Sequence, residues 1–105
     1  MVAHADIQAY ADEIARQFHP QKIIMFGSHA LGTAGPDSDV DLLVILPFDG
    51  TNYRKTMEIL AAVRPTFAVD LIVRQPDDAQ RRLENGDPLI REAITRGRVL
   101  FERAA

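Results

Sequence analysis

Apolar residues recur at Ile7, Tyr10, Ala11, Ile14 and Phe18, spaced i, i+3, i+4, i+7 and i+11. That spacing forms one stripe of a helix, and Asp12, Glu13, Arg16 and Gln17 fall largely off it. His19-Pro20 ends the helix, because the residue before a proline is pushed out of the α region. Lys22 to Phe26 is short and apolar and reads as a buried strand, broken by Gly27-Ser28. From there to Ser38 the chain is rich in Gly, Thr, Ser, Pro and Asp, which predicts a short helix over His29–Leu31 and then a turn. Asp39 to Leu46 (DVDLLVIL) is the strongest strand signal, closed by Pro47, and residues 48–52 form a polar connection. Arg54 to Arg64 carries Met57, Leu60, Ala61 and Arg64 at helical spacing and stops at Pro65. Phe67 to Val73 is a third strand. Pro76 opens a helix running to Asn85 with Gly86 as its C′ residue, and Asp87-Pro88 is an N-cap and N1 pair for a last helix ending at Gly97. Val99 to Phe101 adds a short edge strand.

Strands and helices alternate, so the expected class is α/β (α+β): a small mixed sheet with helices packed against it. The pattern leaves the strand order open. A length of 105 residues suits one domain spanning 1–105 and no second. No apolar run approaches the roughly 20 residues that cross a bilayer, and the N-terminal segment MVAHADIQAYADE lacks the charge and apolar core of a signal peptide. Cysteine is absent, which excludes disulfides and thiolate chemistry and suits a reducing cytoplasm. The net charge of −3 argues against direct nucleic-acid binding, which usually shows a basic face.

Asp39 and Asp41 stand two apart at the head of an apolar strand, so their side chains share one face while Val40, Leu42 and Val44 keep the other apolar. Like charges held that close repel unless a cation lies between them. Asp70 interrupts the apolar strand FAVDLIV in the same way. Aspartate is depleted in strands and is seldom buried unpaired. Three such residues on neighbouring strands suit a hard cation, Mg²⁺ or Mn²⁺, better than Zn²⁺. Each also has a plainer reading: Asp39 caps the turn after Pro36-Asp37-Ser38, Asp41 is a strand-edge charge facing water, and Asp70 is a solvent-facing position on an edge strand.

Gly27-Ser28 follows a strand and opens a helix, an arrangement whose free backbone N–H groups hold phosphate. Alone, such a pair is a tight turn with an N-cap serine. Its spacing to the carboxylates changes that. Gly27-Ser28, ten residues, then Asp39-Val40-Asp41 has the form GSx10DxD, and the run MFGSHALGTAGPDSDVDLLV resembles the minimal nucleotidyltransferase (MNT) family of the DNA polymerase β-like superfamily. The tail NGDPLIREAITRGRVLFE is similar to these short proteins too, so the likeness covers nearly the whole chain.

The resemblance implies a nucleotidyltransferase-like fold and transfer of a nucleoside monophosphate, AMP from ATP, onto a hydroxyl. Gly27 and Ser28 would hold the triphosphate, Asp39 and Asp41 would ligate two Mg²⁺ ions, and Asp70 would complete the acceptor-side metal site and help deprotonate the attacking hydroxyl. MNT members paired with helical HEPN ribonuclease toxins act as antitoxins by AMPylating a tyrosine of the toxin. The implied partners are therefore an NTP and a HEPN-type protein, with an oligomer of this chain left open. Relatives often read GSRARG where this chain has GSHALG, so His29 and Leu31 replace two basic positions. Two other functions stay in view: a contact-only antitoxin that keeps the site, and a Mg²⁺-dependent phosphohydrolase, which leaves the Gly-Ser spacing unexplained. His29 beside the corner is either a substrate contact or, the plainer reading, a solvated loop histidine. Arg74 either reaches a phosphate or is a surface charge, and Tyr10 and Tyr53 read as packing or surface residues ahead of stacking on a base.

Overall fold

The computed structural model describes residues 2–104; the two ends of the expected 1–105 domain, Met1 and Ala105, lie outside them. The elements are α1 (His4–Phe18), β1 (Lys22–Phe26), α2 (Ser28–Leu31), β2 (Val40–Ile45), α3 (Asn52–Ala62), β3 (Val69–Arg74), α4 (Pro76–Glu84), α5 (Pro88–Arg96) and β4 (Arg98–Glu102). The strands form one sheet in the order β3-β2-β1-β4. β1 pairs antiparallel with β2 and with β4, and β2 pairs parallel with β3, so the sheet is mixed as expected. A parallel pair needs a crossover, and α3 supplies it. Among the described residues no helix is long and apolar enough to cross a membrane.

β2 is the middle of this arrangement, and its nearly continuous apolar run follows from burial on both faces. Val40, Leu42 and Val44 join one core with Ile7, Tyr10, Ala11 and Ile14 of α1 and Ile59 of α3. Leu43 and Ile45 join a second core with Ile24, Phe26, Ala79 of α4, and Ile90 and Ala93 of α5. Helices therefore cover both faces of the sheet.

The helix ends follow local chemistry. α1 closes on His19 in the left-handed region (φ 51°), whose N–H still reaches the Ala15 carbonyl. The Asp87 side chain accepts from the N–H groups of Leu89 and Ile90, and Pro76 and Pro88 occupy first-turn positions. α3 departs from the expected pattern. The Thr51 hydroxyl caps the Arg54 N–H, so the helix starts at Asn52. Its buried positions are Ile59 and the capping Val63, whereas Met57, Ala61 and Arg64 are exposed. Ile59 is fully buried in the core with Leu60 packed against it, and one turn earlier on that side the Lys55 ammonium lies 5.8 Å from the ring centres of both Phe18 and Phe48. β3 starts two residues later than expected, because Phe67 leaves the strand to set its ring edge-on against Tyr10, at 5.6 Å between centroids.

Gly97 marks where α5 meets β1. Its backbone (φ −78°, ψ 170°) suits any residue, but a Cβ there would overlap the Ala93 carbonyl oxygen and Ile24 Cγ2. Gly97→Ala is expected to cost about 1–3 kcal/mol from overpacking. Gly35→Ala, whose Cβ would meet only Ser38 Oγ at 3.9 Å, should stay within about 0.5 kcal/mol of the parent. Urea denaturation of the two variants against the parent checks both values.

Candidate active site

The register of the strands lays out the face covered by α4 and α5 in rows. In a paired strand, residues in register project to the same side of the sheet. One end row is Phe26, Asp41 and Asp70, the middle row Ile24, Leu43 and Ile72, and the far row Lys22, Ile45 and Arg74. This face thus runs from a pair of carboxylates, across an apolar centre, to two basic residues. Asp41 and Asp70 are direct partners on adjacent parallel strands. Asp39 lies one residue before β2, on the same parity as Asp41. Asp41 is half-buried, while Asp39 and Asp70 are exposed. Asp70 thus combines the expected neighbour to Asp41 with the solvent-facing edge position of its plainer reading.

Gly27 closes the other side of Asp41. It follows β1 with φ 73° and ψ −156°, a conformation that only glycine adopts without strain. A Cβ on Gly27 would overlap Asp41 Oδ2, so the missing side chain is what lets the carboxylate lie against the corner. Gly27, rather than Ser28, is the N-cap of α2: its carbonyl accepts from Ala30 and Leu31 at 3.1 Å, and Ser28 is the first helical residue. The N–H groups of a first turn have no acceptor within their own helix.

The electrostatics follow this geometry. Burial pushes the Asp41 carboxyl above the ordinary aspartate range, the charges of Asp70 and Asp39 add to the rise, and Glu92 of α5 adds a little more. His29 acts in the opposite direction. A divalent cation would relieve that repulsion, and the donors are carboxylate oxygens, which suit a hard ion. Among the described residues no three His, Cys, Asp or Glu side chains converge as a ready ligand group, so the carboxylates line a shared face without enclosing it.

One residue at the site escaped the sequence reading. Nothing in the pattern of α5 distinguishes Glu92 from an ordinary helical charge; only the packing of α5 over the sheet brings it near Asp41. His29 is half-buried rather than solvated, with Nε2 3.1 Å from the Ser38 carbonyl oxygen. Three other candidates lie elsewhere. Arg74 occupies the far row, four residues along β3 from Asp70, or roughly 13 Å at strand rise. The Tyr10 hydroxyl is buried, donates to the Val63 carbonyl at 2.9 Å and is pushed up to about 12 by burial. Tyr53 is 72% exposed on α3. A concavity of about 620 Å³ opens at the far row beside Lys22 and Ile45 and includes none of the three carboxylates.

Residues 7–100 match the nucleotidyltransferase domain family. Among curated protein sequences none matches the chain. Among solved structures, one similar chain comes from Sulfolobus solfataricus and is provisionally identified as a nucleotidyltransferase (TM-score 0.66, 20% identity, 94% of this chain and 79% of that one). A chain of a toxin–antitoxin crystallised with AMP-PNP aligns with TM-score 0.59 and 20% identity, over 91% of this chain and 73% of that one. A chain of the MntA–HepT toxin–antitoxin aligns with TM-score 0.54 and 16% identity, over 96% and 74%. At these identities the structural likeness establishes the fold.

The raised Asp41 carboxyl has a consequence for stability. Below the unfolded-state aspartate pKa both states are protonated and Asp41 contributes nothing. As pH rises, the unfolded chain ionises first, so the fold loses stability until the folded carboxyl ionises too. In divalent-free buffer Asp41→Asn should therefore melt higher than the parent at pH 7, and the difference should vanish below about pH 3. Calorimetric melting across that range checks it; a variant that melts lower at pH 7 means the ionised carboxylate is a structural partner.

Proposed function

The chain belongs to the nucleotidyltransferase domain family, and from that premise we propose that it transfers AMP from ATP to a hydroxyl of a protein partner, as a protein adenylyltransferase. The observation that carries this reading is the meeting of Asp41 with its register partner Asp70 and with the open Cα face of Gly27. A carboxylate pair on adjacent strands beside a glycine corner is what nucleotidyl transfer needs: acidic ligands on one side and room for a phosphate on the other.

In this reading Asp39 and Asp41 hold Mg²⁺, or Mn²⁺ in its place, with Asp70 on the acceptor side. The ions supply positive charge and Lewis acidity for in-line displacement at the α-phosphorus. Gly27 lets the triphosphate approach the backbone, and Ser28 adds a hydroxyl donor. The acceptor oxygen forms its bond to the α-phosphorus as the bond to pyrophosphate breaks, and the acceptor proton passes toward Asp70. Exposure of Asp70 on edge strand β3 leaves the acceptor side open to a macromolecule. A tyrosine fits that role, since a phenol with a pKa of about 10 releases its proton more readily than an aliphatic hydroxyl.

The toxin–antitoxin neighbours, one of them with AMP-PNP, support a toxin as the partner and ATP as the donor. The partner proposed is a helical HEPN-type toxin, and the protein works as its antitoxin in the cytoplasm. The test is intact-mass spectrometry of such a toxin co-expressed with this protein or with Asp41→Asn. Mass additions of whole AMP units are expected on the toxin with the parent and none with the variant. An unmodified toxin neutralised equally by both versions would show an antitoxin that acts by contact alone.

A further inference from the structure

Asp41 and Asp39 are held in different ways. Asp41 lies within β2 and is paired on both sides, with Phe26 of β1 and with Asp70 of β3. Asp39 precedes the strand, at the end of the loop that leaves α2. That loop is shaped from within, by Gly35 N–H donating to Ser38 Oγ at 2.9 Å and Ser38 N–H donating to the Gly35 carbonyl at 3.2 Å. Bonds internal to a turn set its form and leave its place against the rest of the protein free.

Two bonds fasten the loop to α2. Thr33 N–H donates to the Ser28 carbonyl at 3.0 Å near its start, and His29 Nε2 meets the Ser38 carbonyl at 3.1 Å near its end. A carbonyl only accepts, so Nε2 carries the proton. His29 also borders a small cavity of about 260 Å³ with Val2, His4, Ile7, Gly32 and Ala34, so the Ser38 bond is the contact that fixes its side chain. The next peptide on is anchored too, because Val40 N–H donates to the Ala68 carbonyl at 3.0 Å. Asp39 is thereby bracketed between two fixed peptides, one tied to α2 and one to Ala68, the residue that leads into β3.

We propose that His29 is a positioning residue for Asp39: its Nε2–H bond to the Ser38 carbonyl ties the loop end to the Gly27–Ser28 corner and sets the Asp39 carboxylate relative to Asp41. The proposal rests on the reading of Asp39 and Asp41 as metal ligands. Such ligands work only when held to within about half an ångström by their supports. His29 is adjacent in sequence to Ser28, so the same bond couples the phosphate corner to the first carboxylate.

The test uses the full chain with three substitutions. His29→Phe keeps an aromatic ring, somewhat larger, and removes the donor. His29→Ala removes the donor without overpacking the cavity. His29→Gln returns an amide N–H at about the reach of Nε2. Amide hydrogen exchange is followed in the metal-free protein, and Mn²⁺ affinity is measured by electron paramagnetic resonance. The expected result is faster exchange across residues 34–40 and at least about tenfold weaker Mn²⁺ binding in the Phe and Ala variants, with both restored by Gln. Phe and Ala variants that match the parent in exchange and affinity overturn the proposal, as does a parent that binds no Mn²⁺. A parent that binds Mn²⁺ but transfers no nucleotide counts against the proposed function alone, and the two readouts still decide the role of His29.

Discussion

A central strand flanked on both sides cannot shift by one residue without turning every side chain to the opposite face. That constraint on β2 organises the molecule. Its apolar residues fill two cores, Val40, Leu42 and Val44 on one side and Leu43 and Ile45 on the other, and the same alternation puts Asp41 at the end of the second face. The register with β3 then brings Asp70 alongside, and the register with β1 brings Phe26 and, just beyond it, Gly27. The position of the carboxylates is thus a consequence of core packing. Slipping β2 by one residue would turn Asp41 into the core beneath α1 and α3, where an unpaired carboxylate costs far more than the repulsion between partly solvated like charges.

Much of this was legible from residues. The stripe from Ile7 to Phe18, the DVDLLVIL run, and the Gly86 and Asp87-Pro88 punctuation are local signals, and the elements formed where local chemistry pointed. α3 was misjudged for a tertiary reason. Met57, Leu60 and Ala61 make a fair stripe in isolation, but the core takes Ile59 with Leu60 beside it and leaves Met57 and Ala61 exposed. The strand order was not in the pattern, because it depends on which edges close the two cores.

The site divides in the same way. Gly27, Ser28, Asp39 and Asp41 were visible through their spacing, and Asp70 through a charge interrupting an apolar strand. The adjacency of Asp70 to Asp41 required the parallel register, and Glu92 required the docking of α5. His29 was visible as a departure from the basic residue common at that position in relatives and as a histidine beside the corner, but its bond to Ser38 was not. A bond from a ring to a carbonyl nine residues away leaves no mark on the sequence. The three-row face also separates the carboxylates from the concavity of about 620 Å³, which opens at the basic end beside Lys22. The candidate site is an exposed acidic edge next to a glycine corner, and the proposed function would bring a metal-bound nucleotide and a protein-borne acceptor to it.

Calorimetric titration of ATP into the purified protein, with and without Mg²⁺, tests the central claim most directly. If the carboxylate face and the Gly27 corner form one nucleotide site, ATP binds measurably only when Mg²⁺ is present, because the triphosphate alone meets the uncompensated charges of Asp39, Asp41 and Asp70. ATP binding of equal strength in Mg²⁺ and in EDTA, or none in either, would contradict it.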